Sequence, residues 1–194
     1  MGQIHTYSSA LDNYIDSIIN NVDSTLIKNR KLKIVIDSGN GTQSLSAPLL
    51  TELLGCNVVT LNSHIDGNFS GRGGEPTPKT LDLLSKSVIE YDADLGVGYD
   101  GDGDRSIFCD ENGNVFWGDK SGTLIAQHLI NKGMNSPIVT TIATSQIIDY
   151  VALDNHVDVH RTKVGSVDVS YKMKELDSIF GFEEISYSLG YITE

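Results

Sequence analysis

The chain has 194 residues, of which 39% are hydrophobic and 21% charged, and this length allows one or two globular domains. Its formal net charge of −12 argues against a nucleic-acid partner, because contacts to a phosphate backbone need clustered Lys and Arg, and the sequence has no basic run. The sequence has no apolar leader and no stretch long enough for a membrane span, so we expect a cytoplasmic protein without a membrane partner. Cys56 and Cys109 lie in apolar settings without metal-ligand spacing and are predicted to be buried free thiols.

Predicted strands and helices alternate along the chain. In order, the patterns predict a helix over 7–27, a strand over 33–36, a helix over 44–54, a strand over 57–61, a helix over 80–90, a strand over 95–98, a hairpin of strands at 106–109 and 115–117, a helix over 118–131, a strand over 138–141, a helix over 145–153, a strand over 157–161, a helix over 167–176 and a strand over 179–182.

This alternation predicts an α/β fold, with two consecutive units of mainly parallel mixed sheet flanked by helices. Gly, Asn, Ser and Pro cluster at 133–137, which indicates a boundary between a domain over 1–135 and a second over 136–194. The second unit is short for an α/β domain, so we expect it to be truncated.

Three carboxylates, those of Asp100, Asp102 and Asp104, alternate with two glycines and are followed by Arg105. Such closely spaced anions repel one another, and a bound cation would neutralise them. Carboxylate oxygens suit Mg²⁺, Ca²⁺ or Mn²⁺, and the glycines allow the backbone to curl around one ion. The Arg105 guanidinium has the bidentate geometry that suits a phosphate, so the segment indicates phosphoryl chemistry.

A calcium loop of the EF-hand type is an alternative interpretation of the same spacing. Counting from Asp100, position twelve is acidic as required (Glu111), but position six is Arg105 where an EF-hand needs glycine. The flanking segments also have strand patterns, whereas an EF-hand needs helices. The calcium loop and a solvated acidic turn without a ligand both remain open at this point.

The sequence also resembles the α-D-phosphohexomutase superfamily, which includes phosphoglucomutase, phosphomannomutase and phosphoglucosamine mutase. The resembling segments follow the family order over nearly the whole chain: Asp-Ser-Gly-Asn-Gly at 37–41, Asp-Gly-Asn-Phe at 66–69, Gly-Glu-Pro-Thr-Pro at 74–78, the acidic loop at 100–105, Arg-Thr-Lys-Val-Gly at 161–165 and Gly-Phe-Glu-Glu at 181–184. Members of the family have four domains, and this chain resembles the second domain and the start of the third.

The resemblance implies an isomerase of carbohydrate metabolism that moves a phosphoryl group between the C1 and C6 hydroxyls of a hexose. It implies Mg²⁺ as the cofactor, and a phosphorylated hexose and a hexose bisphosphate as partners. Asp100, Asp102 and Asp104 match the family's Mg²⁺ ligands. Arg105 matches the family's catalytic arginine, which lies beside a phosphoserine. The resemblance therefore implies that the full-length enzyme is a phosphoprotein.

The resemblance also implies a sugar-binding region in the second unit. Its substrate-binding positions are Thr162, Lys163, Gly165, Glu184 and Ser186. The chain departs from the family pattern at Ser166, where members often have Asp or His, and at Tyr187, where the sugar loop normally has Gly.

The phosphoserine motif of the family has no match in this sequence, and from the resemblance we expect the first and fourth domains of the four-domain family to be missing from it. We therefore expect this chain alone to be inactive as a phosphohexomutase. The dipeptide Ser63-His64 also occurs in that motif, but the rest of the motif is lacking, so it is interpreted as structural. Arg72 and Arg161 are interpreted as solvated or paired charges. The alternative function is a non-catalytic, metal-stabilised α/β module that binds a phosphosugar or calcium.

Overall fold

The computed structural model describes residues 2–183 and the backbone of residues 187–189. The helices are α1 (Ala10–Asn20), α2 (Ser24–Arg30), α3 (Gln43–Leu53), α4 (Asp82–Glu90), α5 (Gly118–Asn131), α6 (Ile147–Asp154) and α7 (Ser166–Leu176). The strands are β1 (Lys33–Asp37), β2 (Asn57–Leu61), β3 (Leu95–Tyr99), β4 (Ser106–Asp110), β5 (Val115–Phe116), β6 (Ile138–Thr141), β7 (Val159–Thr162), β8 (Phe180–Phe182) and β9 (Tyr187–Leu189). The predicted α/β alternation is confirmed.

The first sheet has the strand order β2-β1-β3-β4-β5, with β1 parallel to both β2 and β3. Strand β1 is apolar from Ile34 to Ile36 and is buried there, as expected for a central parallel strand covered on both faces. Leu84 and Val88 of α4 are fully buried and belong to the hydrophobic core. The central strand of this sheet is therefore buried, and the polar residues of interest lie in the loops that follow the strands.

The second sheet has the order β7-β6-β8-β9, in which β7, β6 and β8 are parallel and β9 is antiparallel to β8. Its core contains Ile138, Ile148, Phe180 and Phe182, all fully buried. The rings of Phe180 and Phe182 stack with their centroids 5.6 Å apart. These large side chains fill the layer between the sheet and its helices.

The chain divides into two compact units. The first comprises Met1–Glu75, Thr80–Gly103 and Cys109–Asn114, and the second comprises Pro76–Lys79, Asp104–Phe108 and Val115–Glu194. The domain boundary predicted at 135–136 does not separate these units, because α5 packs on α6 and β8 within the second unit. A Cβ at Gly122 of α5 would collide with the Phe182 ring. The Gly- and Pro-containing segment at 133–137 is thus the connection from α5 to β6 inside one unit.

The predicted helix over 7–27 is two helices in the structure. Its apolar spacing continues through the break, but the Asp23 carboxylate accepts a hydrogen bond from the Leu26 backbone N–H at 2.8 Å and caps a new helix.

Cys109 is buried as predicted, whereas Cys56 is only partly buried. None of the helices in the described residues has the length and apolar character needed to cross a bilayer.

Candidate metal and phosphate site

The candidate site lies at the ends of two neighbouring parallel strands. Strand β1 ends at Asp37 and β3 ends at Tyr99, and the register pairs Asp37 with Gly98. Because parallel strands end at the same edge of a sheet, the turn at 38–42 and the acidic loop at 100–105 both leave from this edge. This is the edge at which open α/β sheets commonly bind ligands.

The three aspartates of the acidic loop converge. One carboxylate oxygen from each of Asp100, Asp102 and Asp104 lies within 4.8 Å of the other two. Asp100 is 1% exposed, whereas Asp102 and Asp104 are exposed. Asp100 Oδ1 accepts a hydrogen bond from the Gly103 backbone N–H at 2.9 Å, so the buried carboxylate closes the turn on itself.

The start of α3 holds the backbone of the acidic loop. The Thr42 backbone N–H donates to the Gly101 carbonyl at 3.1 Å, and the Thr42 hydroxyl donates to the Asp102 carbonyl at 2.7 Å. The Gln43 side-chain amide donates to the Gly103 carbonyl at 3.3 Å. Three successive carbonyls are thereby fixed by one helix terminus, and the Asp102 side chain remains exposed to solvent.

Two glycines allow this close approach. A Cβ on Gly41 would collide with the Gly101 carbonyl, and Gly103 has φ +84°, a left-handed conformation that favours glycine. A Cβ on Gly101 would lie 2.8 Å from the Phe69 ring, so that ring covers the loop. The sequence prediction that glycines let this segment curl agrees with the backbone.

Arg105 lies at the exit of the loop. Its Nε is 3.5 Å from Asp104 Oδ1, and the two side chains are 32% and 73% exposed. An ion pair this exposed contributes little to stability, because solvent screens it and two side chains lose freedom. A solvent-accessible guanidinium of this kind has the planar donor geometry that recognises a phosphate.

Arg72 is a buried arginine at the same strand edge. Its Nε lies 3.0 Å from Asp37 Oδ1, and the two side chains are 6% and 0% exposed. Arg72 Nη2 donates to the carbonyl of Tyr99, and Nη1 donates to the carbonyl of Gly73 at 3.1 Å. A Cβ on Gly39, which has φ +55°, would lie 2.7 Å from Arg72 Nη2. The interpretation of Arg72 as a solvated charge is wrong, and the paired alternative is confirmed.

Asn40 anchors the irregular segment that follows β2. It has φ +61° and is 1% exposed, its Oδ1 accepts from the Gly71 backbone N–H at 2.9 Å, and its Nδ2 donates to the His64 carbonyl at 3.1 Å. The Ser63 and Ser38 hydroxyls lie 3.2 Å apart. Ser63 and His64 therefore belong to the hydrogen-bonded loop scaffold in this unit.

Asp66 organises the next turn of that segment. Its carboxylate accepts hydrogen bonds from the Ser70 hydroxyl at 2.5 Å and from the backbone N–H groups of Asn68 and Ser70. These bonds, with the Ser70 hydroxyl as the largest cause, lower the pKa of Asp66 to about 2. The carboxylate is thus a local acceptor for the loop.

In the second unit, the predicted substrate-binding loop follows β7. The Thr162 hydroxyl lies 2.8 Å from the Lys163 carbonyl and 3.3 Å from the Thr140 carbonyl. Lys163 Nζ is 3.7 Å from Asp168 Oδ1, and the lysine side chain is 83% exposed. The hydroxyl is therefore engaged with backbone, while the ammonium group faces solvent.

Gly165 connects this loop to the end of β8. Gly165 has φ +143°, and its backbone N–H donates to Glu183 Oε1 at 2.7 Å. Ser166 is the first residue of α7. The predicted sugar-binding residues Glu184 and Ser186 lie outside the described residues.

Arg161 holds the loop after β6 through backbone carbonyls. Its Nη1 donates to the Thr141 carbonyl at 3.0 Å and to the Thr144 carbonyl at 2.7 Å. Its Nη2 lies 3.3 Å from the Ser145 carbonyl and 2.7 Å from Asp149 Oδ2. Of the two alternatives for Arg161, solvated or paired, the paired one is confirmed by its contact with Asp149.

Sequence reasoning missed three residues that shape these loops. Thr42 and Gln43 hold the acidic loop, and Glu183 holds Gly165. A helix-start signal at Thr42, after the glycine turn, was available in the sequence. The pairing of Glu183 with Gly165 joins two distant segments and has no local signal.

Two models of one protein family match consecutive parts of the chain. The model described as phosphoglucomutase/phosphomannomutase, alpha/beta/alpha domain II, matches residues 12–113, and the domain III model matches residues 117–192. The chain belongs to the phosphoglucomutase/phosphomannomutase family. The superfamily expected from the sequence is therefore confirmed.

Two curated relatives of this family member come from Thermococcus kodakarensis and Sulfurisphaera tokodaii. The chain is 42% identical over 171 residues to a phosphoglucomutase/phosphomannomutase of Thermococcus kodakarensis, covering 88% of this chain and 38% of the relative. It is 38% identical over 176 residues to a phosphoglucosamine/phosphogalactosamine mutase of Sulfurisphaera tokodaii, covering 90% of this chain and 39% of the relative. The chain thus spans about two fifths of the length of these relatives.

Solved structures give the same fold. A phosphoglucomutase/phosphomannomutase family protein from Burkholderia thailandensis matches with a TM-score of 0.84 and 26% identity, covering 93% of this chain and 38% of that one. An N-acetylphosphoglucosamine mutase of Aspergillus fumigatus, in complex with GlcNAc-6P and magnesium, matches with a TM-score of 0.63 and 15% identity, covering 92% of this chain and 39% of that one. The second likeness is one of fold alone.

The acidic loop has the donor chemistry of a site for a hard divalent cation. Its three converging groups are carboxylates, the hard oxygen ligands that Mg²⁺, Ca²⁺ and Mn²⁺ prefer. The flanking elements are strands β3 and β4, so the helix–loop–helix arrangement of an EF-hand is not present here. The residues present fit a divalent cation held at the end of a parallel strand.

Proposed function

We propose that this chain supplies the metal-binding part, and part of the sugar-binding region, of an enzyme that interconverts hexose 1-phosphates and hexose 6-phosphates. The convergence of three carboxylates within 4.8 Å at the end of β3 is the observation that carries this proposal. Family membership and relatives named as phosphohexose mutases support it. The hexose itself is left open between glucose, mannose and glucosamine.

In this proposal Asp100, Asp102 and Asp104 hold Mg²⁺. When bound, Mg²⁺ would neutralise negative charge on the phosphoryl group during transfer, the main requirement of this chemistry. The presence of magnesium in the structure of the Aspergillus fumigatus mutase supports the choice of metal. The fixed backbone of the loop would hold the carboxylates in place before the ion arrives.

Arg105 is proposed to bind phosphate oxygens as the catalytic arginine. Its accessible guanidinium next to the carboxylate cluster supports this role. Arginine is permanently charged and forms two parallel hydrogen bonds with a phosphate, so it orients the group as well as attracting it.

Substrate contacts are proposed for residues of the second unit: Thr162, Lys163, Gly165, Glu184 and Ser186. The exposed Lys163 ammonium suits an anionic group of a phosphorylated sugar. The Thr162 and Gly165 contacts suggest that these two residues shape the loop around Lys163. Hydrogen-bonding side chains such as Glu and Ser recognise sugar hydroxyls.

Metal binding is tested by titration calorimetry of the wild type and Asp102→Asn with Mg²⁺ and Ca²⁺. We expect Asp102→Asn to weaken Mg²⁺ binding by about tenfold or more, because losing even a residue behind a metal ligand lowers metal affinity by at least that factor. Glu111→Gln is the matched control, because Glu111 occupies the twelfth position of the alternative calcium loop. Equal Mg²⁺ heats for wild type and Asp102→Asn would contradict the site, and loss of Ca²⁺ binding in Glu111→Gln would support the calcium module.

The isolated chain is proposed to lack mutase turnover, because its sequence has no match to the family's phosphoserine motif. A coupled assay with glucose 1-phosphate and its bisphosphate activator measures this directly. Turnover in the usual enzyme range of about 1–10³ s⁻¹ would contradict the proposal. Addition of the remaining domains of a family member as a separate chain is the positive control.

A further inference from the structure

Arg72 connects the ends of two strands at the candidate metal site. Its guanidinium contacts the Asp37 carboxylate at the end of β1 and the carbonyl of Tyr99 at the end of β3. The side chain is 6% exposed, so solvent does not compete for these contacts. Tyr99 immediately precedes Asp100, the first of the three aspartates.

The contact with Tyr99 has a direct geometric consequence for Asp100. The Tyr99 carbonyl belongs to the peptide unit that includes the Asp100 nitrogen and Cα, and this unit is planar. A hydrogen bond that fixes the carbonyl direction therefore also fixes where the Asp100 backbone begins. Asp100 Oδ1 in turn accepts from the Gly103 N–H at 2.9 Å and sets the rest of the turn.

Arg72 also compensates the negative charge of the buried Asp37 carboxylate. Asp37 is fully buried, and its Oδ1 accepts from the Gly39 N–H at 2.9 Å and the Asn62 amide at 3.1 Å. Within the described part of the chain, Asp37 Oδ2 has no hydrogen-bond partner. The guanidinium is the cation beside this carboxylate, and it reduces the negative charge next to the acidic loop.

We propose that Arg72 is a positioning residue for the metal loop, acting through the Tyr99 carbonyl. This inference rests on the proposed Mg²⁺ site and names a residue that determines its geometry. The role requires a planar guanidinium, because one group must reach the Asp37 carboxylate and two carbonyls in fixed directions. A lysine ammonium would keep the charge but would not reproduce that set of directions.

Two variants separate positioning from charge neutralisation. Arg72→Lys retains a cation beside Asp37, and the double variant Asp37→Asn/Arg72→Met removes both buried charges together. Mg²⁺ dissociation constants come from titration calorimetry of this chain, at a temperature where circular dichroism shows each variant folded. Arg161→Lys is the matched control, because Arg161 holds a loop of the second unit through carbonyls.

We expect both Arg72 variants to weaken Mg²⁺ binding by about tenfold, the usual size for a residue behind a metal ligand, and Arg161→Lys to bind as the wild type does. Wild-type affinity in Arg72→Lys would overturn the proposal, and so would recovery of that affinity in the double variant. If only one of the two Arg72 variants folds, the Mg²⁺ affinity of that variant alone tests the proposal. Absence of Mg²⁺ binding in the wild type would instead contradict the proposed metal site.

Discussion

Both compact units use an arginine to hold a loop at the end of a parallel strand, but the two arginines differ in burial. Arg72 and its partner Asp37 are 6% and 0% exposed, whereas Arg161 and Asp149 are 26% and 43% exposed. Both guanidinium groups donate to backbone carbonyls. The two sites therefore use the same chemistry in different dielectric surroundings.

This difference determines the consequence of losing each arginine. A buried carboxylate without its cation is costly, because neither water nor another charge compensates it. A half-exposed carboxylate can be solvated when its partner is removed, so the cost is mainly that of the lost hydrogen bonds. The comparison predicts that the first unit depends on its arginine much more than the second.

The largest expected effect is that of Arg72→Met. We expect the free energy of unfolding of the first unit to fall by about 3–5 kcal/mol, because Asp37 is left buried and uncompensated. Denaturant unfolding followed by circular dichroism measures the change. A cost below about 1 kcal/mol, the value for an exposed pair, would remove the distinction between the two arginines.

Arg161→Met is the corresponding change in the second unit. We expect a loss of about 2 kcal/mol, from hydrogen bonds to the Thr141 and Thr144 carbonyls. Asp149→Asn should cost less than about 1 kcal/mol, since this carboxylate is 43% exposed. The same denaturation experiment, repeated at high salt, should show the Asp149 contribution shrinking. A larger loss for Asp149→Asn than for Arg161→Met would contradict this ranking.

Two threonines give a finer comparison. Thr42→Val removes the hydroxyl that donates to the Asp102 carbonyl at 2.7 Å, and Thr162→Val removes the one that donates to the Lys163 carbonyl at 2.8 Å. Each should cost about 1 kcal/mol in unfolding free energy. Mg²⁺ affinity, measured by calorimetry, should fall only for Thr42→Val, because only that hydroxyl holds the acidic loop. Equal Mg²⁺ affinities for the two variants would show that this bond does not shape the loop.

The smallest expected effect concerns the pH dependence of the first unit. The pKa of Asp66 is lowered to about 2, chiefly by the Ser70 hydroxyl. A lowered folded pKa means that the ionised Asp66 stabilises the fold above its unfolded pKa of about 3.9, and that this contribution is lost as pH falls towards 2. A carboxyl ¹³C NMR titration should show this low value in the wild type and a higher one in Ser70→Ala. An unchanged titration in Ser70→Ala would assign the shift to other bonds.

Much of the fold was predictable because its signals are local. The helix over 118–131 and the strand over 138–141 match α5 and β6, since apolar spacing and turn residues define both within a few positions. The α/β alternation and the family resemblance were equally readable. The break between α1 and α2 was missed because the apolar spacing continues through it, and the domain boundary was placed at a loop that lies inside the second unit.

The candidate site was only partly predictable. The residue types and spacing of Asp100, Asp102 and Asp104 indicated a divalent cation, because closely spaced anions repel one another and carboxylate oxygens are the ligands that such ions prefer. Their convergence within 4.8 Å agrees with that prediction of geometry. The hydrogen bonds by which Thr42 and Arg72 hold the loop could not be found this way, since they join residues about sixty and thirty positions apart.

The sequence by itself determined the alternation of elements, the donor chemistry of the acidic loop and the family. Only the tertiary structure decided which arginine is buried, since Arg72 and Arg161 are the same residue type and both lie beside loops rich in polar residues. Burial depends on which strands become neighbours, and the pairing of β1 with β3 joins segments separated by about sixty residues. That long-range pairing brings Asp37, Tyr99 and Arg72 together and gives the acidic loop its fixed starting point.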